Sequence, residues 1–393
     1  DEVKLFVKIL HERDSTGELE YNKESKLLDY LLRNSYLPSF AFPIDVCNFS
    51  VLKWEQSVMN VKEEYSPSMG MSQALAMYVP GKELHINKNK YQSGGVYVPF
   101  PENLENRFSG EMDKIEYHVL LCNNCQSLTT YPPEHEMGKK EKCNNCDAEE
   151  QQTFPMYKPK AFAPLTGTDA KTSQVAKGRI DQINQRKSSV MLPLSTQMNH
   201  GEMEDIFFNS KIIFKREEEL FQLNTGPESD KIDSEGIQGW EICGKCGTCR
   251  DVLKDKKPEK PHLRPYPRIH SGPNRFATNE CQGNDWQKLV FGYNFRTDLM
   301  LLQTKLDFDK INASKMWESN SPIFNAAMSA KDGIIGAITR GRVSNLDMDD
   351  GEINGHFRFL HNDDGHTINL EFYLFDTAPG GAGYSKQVKD HID

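Results

Sequence analysis

Apolar and polar positions alternate most clearly in the last third of the chain. Between Trp286 and Leu302, Leu289, Phe291, Tyr293 and Phe295 fall on every second position, the period of a strand with one buried face. Phe357 and Phe359, a turn containing Asp364-Gly365, and then Ile368, Leu370, Phe372 and Leu374 predict a β-hairpin that ends at Asp376. Shorter strand-like runs are Glu83-Leu-His-Ile, Gly95-Val-Tyr-Val, Glu116 to Leu121 and Asp205 to Leu223, and Leu5 to Leu10 suits a strand or a short helix. Helical spacing is rarer. Leu28, Leu31 and Leu32 share a face between Asn22 and Asn34, and Met71 to Tyr78 reads as a short helical turn. Ser321-Pro322 supplies an N-cap and a first-turn proline for a helix reaching about Ile338, with Ala326, Ala327, Ala330, Ile334 and Ile338 on its buried face. A last helix starts near Ser385. Pro38 to Val46 reads as extended and Ser93-Gly-Gly as a tight turn. Phe154 to Val190 and Gly226 to Gly236 read as polar connections. The expected fold class is α+β, a mixed sheet with flanking helices.

Composition narrows the class. The 393 residues carry a net charge of −10 and 37% hydrophobic residues, with 21 Phe, 14 Tyr and 4 Trp. With a mean hydropathy of −0.65, this is a folded, polar chain long enough for two or three domains. No run of 18 apolar residues exists, so neither a membrane-spanning helix nor a membrane partner is expected. No secretory segment is visible and the chain begins at Asp1, so the expectation is a cytoplasmic piece of a longer polypeptide. Basic residues concentrate between Tyr157 and Lys187 and between Arg250 and Arg275. Lys158, Lys160, Arg264 and Arg268 are the candidates there for phosphate contact, against the plainer reading of solvated loops.

The nine cysteines change the picture further, because eight of them form two clusters. Cys122-Asn-Asn-Cys125 and Cys143-Asn-Asn-Cys146, seventeen residues apart, have zinc-ribbon spacing. Four thiolates close a tetrahedron with no open position, so this insertion is expected to hold a structural zinc. Trp240-Glu-Ile-Cys243-Gly-Lys-Cys246-Gly-Thr-Cys249, followed by His262, His270 and Cys281, asks for a second zinc. Cys243, Cys246 and Cys281 are natural ligands there, and the fourth is left open among Cys249, His270 and His262. A catalytic zinc with an open position would make a metallohydrolase, for which no accompanying acid or base stands out. Asp376-Thr-Ala-Pro-Gly380-Gly381-Ala-Gly383-Tyr384 links a strand to a helix. Its glycines either cradle a phosphate or permit a sharp turn. No phosphate-loop lysine motif, nucleophile elbow or H-E-x-x-H motif occurs, so no catalytic residue is assigned.

Two phrases carry a family resemblance. Phe291-Gly-Tyr-Asn-Phe-Arg-Thr-Asp298-Leu-Met, and about eighty residues later Leu374-Phe-Asp-Thr-Ala-Pro-Gly-Gly-Ala-Gly-Tyr384, resemble the C-terminal region of MrfA-like superfamily 2 DNA helicases. That region also occurs in the DISARM and Druantia anti-phage systems. Leu37-Pro-Ser-Phe-Ala-Phe-Pro-Ile-Asp45-Val and Ala74-Leu-Ala-Met-Tyr-Val-Pro-Gly81 resemble the segments that follow the helicase core. The resemblance implies four parts: a helicase-flanking segment (1–110), a ribbon (111–155), a basic and β-rich linker (156–239) and a zinc-binding C-terminal domain (240–393). It implies a scaffold that contacts DNA or docks a partner, with ATP used only by a helicase core in cis or by a partner defence subunit. A bacterial DNA-repair helicase of the MrfA kind and a free-standing scaffold subunit like DrmB are the rival expectations.

Overall fold

The computed structural model describes residues 45–101, 104–123, 125–149, 151–165, 188–194, 203–206, 210–227, 237–250, 261–270, 276–307, 351–361 and 367–390, and scattered helical positions from 322 to 337. Leu5 to Leu10, Asn22 to Asn34 and most of the basic stretches lie outside them. The described residues are mostly sheet with few helices, a strand-rich α+β fold.

The elements that bear on the sites are α1 (Met71–Met77), β1 (Asn89–Tyr97), β2 (Tyr117–Leu121), β3 (Leu128–Tyr131), β4 (Phe154–Tyr157), β5 (Ala161–Pro164), β6 (Ser210–Asn224), β7 (Trp240–Cys243), β8 (His262–His270), β9 (Phe276–Cys281), β10 (Trp286–Asp307), β11 (Ile353–His361), β12 (Thr367–Asp376) and α2 (Tyr384–Lys389). The 22-residue strand β10 is the axis. Over Phe291–Thr304 it pairs antiparallel with β6, and over Leu299–Asp307 with β12, which pairs in turn with β11. Near its start it pairs with β7 and, in parallel, with β4. Strands β2 and β3 extend this sheet outward from β4. A second sheet of five strands contains β5 and β1 beside Val46–Phe49.

The core lies between the two sheets. Leu289, Phe291, Tyr293 and Phe295 all face it, together with Phe49, Tyr78, Phe162 and Trp240. Phe291 meets Phe162 edge to face, with ring centroids 5.1 Å apart, and lies 5.6 Å from Trp240. Each such buried aromatic contributes about 2–3 kcal/mol. Trp240 keeps its one polar atom satisfied, donating Nε1–H to Asn224 at 3.1 Å.

Three expectations need correction. Phe154 to Val190 is not a continuous connection, because Phe154–Tyr157 and Ala161–Pro164 are fully buried strands of different sheets. Ser93-Gly-Gly is no turn but the middle of β1, where register shifts against β5. The described positions from 322 to 337 are helical, yet Ala326 and Ala330 are exposed and Ile334 only half-buried, so the expected buried face is mostly turned outward.

Candidate metal centres

Three Cys-x-x-Cys turns share one backbone design. In each, the amide four residues after the first cysteine donates back to that cysteine's carbonyl: Gln126 to Cys122, Asp147 to Cys143 and Gly247 to Cys243, at 3.0, 3.0 and 2.9 Å. Each donor residue is left-handed, with φ of 60°, 57° and 80°. The next residue's carbonyl then accepts the first cysteine's own N–H. The turn therefore points both thiols to one side.

In the ribbon, two such turns face each other. Cys122 and Cys146 Sγ atoms are 3.5 Å apart, and those of Cys125 and Cys143 are 3.7 Å apart. That is too long for a disulfide, and all nine cysteines are free. It is close to the separation of about 3.8 Å that a tetrahedral ion with 2.3 Å bonds to sulfur imposes. Hydrogen bonds with the other three cysteines push the Cys122 thiol up and pull Cys125 down, so the buried cluster favours sharing protons over four bare thiolates. A cation is what would let all four ionise. The donor set fits a closed structural zinc site. Its surroundings are modest: Leu120 is buried against the cysteines, with Tyr131 and Ala148 partly so. The ribbon is fastened to the sheet through β11. Phe359 N–H donates to Cys125 O at 3.3 Å, and Asn145 Nδ2 donates to Phe359 O at 2.7 Å and to Ser127 Oγ at 2.8 Å.

In the second group, His262 is the residue brought beside the three cysteines. Cys243, Cys246, His262 and Cys281 bring their ligand atoms within 4.8 Å of one another. His262 stands opposite Cys281 where β8 and β9 pair, which places its Nε2 3.4 Å from Cys246 Sγ. Burial alone would lower the His262 pKa, but hydrogen bonds and charge from Cys243 and Cys281 raise it to about 9. Three thiols and an imidazole also fit tetrahedral zinc. Cys249 and His270 are not brought in. Cys249 Sγ donates to its neighbour's carbonyl at 3.4 Å, and His270 stacks on Phe276 with Nε2 3.1 Å from Thr278 Oγ1. Geometry sets those two residues apart: Cys249 belongs to the strand leaving the turn, and His270 sits at the far end of the hairpin.

The second group is wedged between the sheets. Val96 of β1 donates to Gly247 O at 2.9 Å, Gly95 bridges Thr248, and Phe108 donates to Lys245 O at 3.2 Å. A Cβ on Gly247 would lie 2.4 Å from Val96 O, and one on Gly95 would lie 2.3 Å from Gly247 O. Both glycines are there because two backbones touch.

The other candidate residues are placed as follows. Arg264 is 2% exposed and donates to the carbonyls of Glu280 and Glu105 at 2.8 and 2.9 Å, so it supports the hairpin and cannot reach a phosphate. Arg268 is half-exposed and paired with Glu105 at 2.6 Å. Lys158 bridges to Asp45 at 2.6 Å, and Lys160 is exposed. The glycine-rich turn carries its own anion. The buried Asp376 carboxylate accepts the amides of Ala382, Tyr384 and Ser385 at 2.7, 3.0 and 2.7 Å, and the Ser385 hydroxyl as well. Gly380 N–H goes to Arg296 O and Gly381 N–H to Ala378 O. Asp376 thus fills the position a phosphate would take, and the phosphate reading of Gly380, Gly381 and Gly383 gives way to the structural one. The sequence phrase around Arg296-Thr-Asp298 meets this turn directly: Thr297 Oγ1 donates to Asp376 O and Ala378 O at 2.7 and 3.0 Å.

Fold and sites together define a strand-rich region carrying two thiol-rich groups that could hold metal ions. No family model matches the chain. The chain is homologous to the Druantia protein DruE of Escherichia coli (strain UMEA 4076-1), at 25% identity over 405 residues, covering 97% of the chain and 20% of that protein. It spans about a fifth of its relative's length. Among solved structures, it is similar to the DUF1998 helicase MrfA bound to DNA, with a TM-score of 0.35 and 7% identity over 88% of the chain and 28% of that structure. Among the described residues no helix is long and apolar enough to cross a membrane.

Proposed function

We propose that this chain is an accessory region of an ATP-dependent DNA helicase or translocase of bacterial anti-phage defence, shaped by two structural zinc ions. The observation that carries the reading is the homology along 97% of the chain to one fifth of the Druantia protein DruE. A segment of that size, without a phosphate-loop motif of its own, is suited to scaffold, DNA-contact or docking work beside a motor. Both metal groups use only buried or half-buried protein ligands in sets of four, which is the pattern of staples, not of catalysis.

In the intact protein, ATP would be hydrolysed by a helicase core, and this region would hold the DNA path or a partner defence subunit against it. The test is deletion of the region from the full-length protein, with ATPase, DNA binding and phage protection measured. The expected result is a protein that still hydrolyses ATP but loses protection and DNA-stimulated activity. Full protection and full DNA stimulation without the region would overturn the reading.

A further inference from the structure

The hairpin β8–β9 carries a feature that neither metal ligation nor core packing uses. At its far end His270 and Phe276 face each other in register and stack nearly parallel, with ring centroids 4.4 Å apart and planes 10° apart. Phe276 remains 54% exposed. An exposed phenyl ring is ordinary by itself. Its neighbours on the same hairpin face make this one distinctive. Arg268 lies two positions before His270, and Thr278 two positions after Phe276, opposite Arg268. Successive side chains on a strand point to opposite faces, so Arg268, His270, Phe276 and Thr278 share one face. His270 is held there by its bond to Thr278 Oγ1 at 3.1 Å.

The base of the hairpin is anchored. His262 and Cys281, opposite each other, both belong to the second metal group, and the buried Arg264 ties β8 to Glu280 and Glu105. The result is a parallel aromatic pair at the tip of an arm anchored at its base, beyond a register shift between Leu263 and Arg268, with a guanidinium about 7 Å away along the strand. Among the described residues Arg268 pairs with the exposed carboxylate of Glu105 at 2.6 Å. Exposed pairs contribute little, so exchanging that carboxylate for a phosphate costs little.

We propose that this face is a stacking platform for single-stranded nucleic acid, an unpaired base lying on Phe276 and the adjoining phosphate meeting Arg268. Stacking needs an open base face, which a duplex does not offer, so the platform selects single strands. The inference deepens the DNA-contact reading above and rests on it.

The test is fluorescence anisotropy of a labelled oligothymidine and a labelled duplex with the zinc-loaded chain. Phe276→Ala should weaken oligothymidine binding roughly 5- to 150-fold, the cost of losing one stacked base. Phe276→Trp should retain it, and duplex affinity should not change. Arg268→Glu should weaken binding further and flatten its salt dependence. Unaltered zinc content and thermal midpoint would show that the variants are folded. Wild-type affinity for oligothymidine in Phe276→Ala would overturn the platform while leaving the DNA reading in place, and so would wild-type binding to the duplex alone. Absence of binding to either nucleic acid by the wild-type chain would overturn both.

Discussion

The two metal groups are built from the same backbone turn and set in opposite surroundings. The ribbon's group rests in a small cluster of its own where β2 and β3 end the main sheet, and main-chain and amide contacts at Phe359 tie it to β11 as well. The second group shares a cluster with Tyr97, Ala161, Ala163 and Tyr266, and its turn is hydrogen-bonded to β1 of the other sheet. The turn residues record the difference. Gln126 and Asp147 adopt the left-handed conformation in spite of their side chains, whereas Gly247 has a neighbouring backbone where its Cβ would be. An identical ligand motif can therefore be an appendage's staple or the keystone between two sheets. What packs around the turn decides which.

The largest expected effect separates these roles. Cys246→Ser should lose one zinc and destabilise the whole described fold by about 4 kcal/mol or more, since the loss of a structural metal is among the few single changes of that size. Cys125→Ser should also lose one zinc, but hydrogen exchange should rise only in residues 122–152 and at Phe359. Equal, global loss of protection in both variants would erase the distinction. The turns themselves give the next effect. Gly247→Ala should cost about 2–4 kcal/mol through strain and contact with Val96 O. Gln126→Gly, relieving a left-handed side chain, should change stability by less than about 1 kcal/mol. Chemical denaturation of both variants measures this, and similar costs would mean that the second turn is not packed as described. The smallest effect is at the ribbon's clip. Asn145→Ala removes two hydrogen bonds, one of them to β11, and should cost about 1 kcal/mol while both metals stay bound. Selective loss of Phe359 amide protection would locate it.

Much of this was legible from side-chain spacing alone. The ribbon's four cysteines, the axis strand through Phe291 and the hairpin ending at Asp376 follow from local periodicity and turn chemistry. The fourth ligand of the second group did not, because it depends on strand register. Even with the hairpin recognised, the register shifts between Leu263 and Arg268, so counting back from His270 opposite Phe276 does not set Cys281 against His262. Arg264 looked like a solvated charge in a basic loop because nothing local shows that Glu105 and Glu280 would offer it carbonyls from two other segments. Prolines misled around Phe154 to Pro164. Pro155 sits within a buried strand, opposite His118, where a proline ordinarily argues against one. The glycine-rich turn was ambiguous for a related reason. Its anion is Asp376, the last residue of the preceding strand, and spacing does not reveal which way a carboxylate turns.

The central claim is a pair of closed metal groups, of four cysteines and of three cysteines with His262. Metal analysis of purified chain and variants tests it most directly. The wild type, Cys249→Ser and His270→Ala should each carry about two zinc ions, and His262→Ala about one. Two zinc ions retained in His262→Ala, with one lost in Cys249→Ser or His270→Ala, would contradict it.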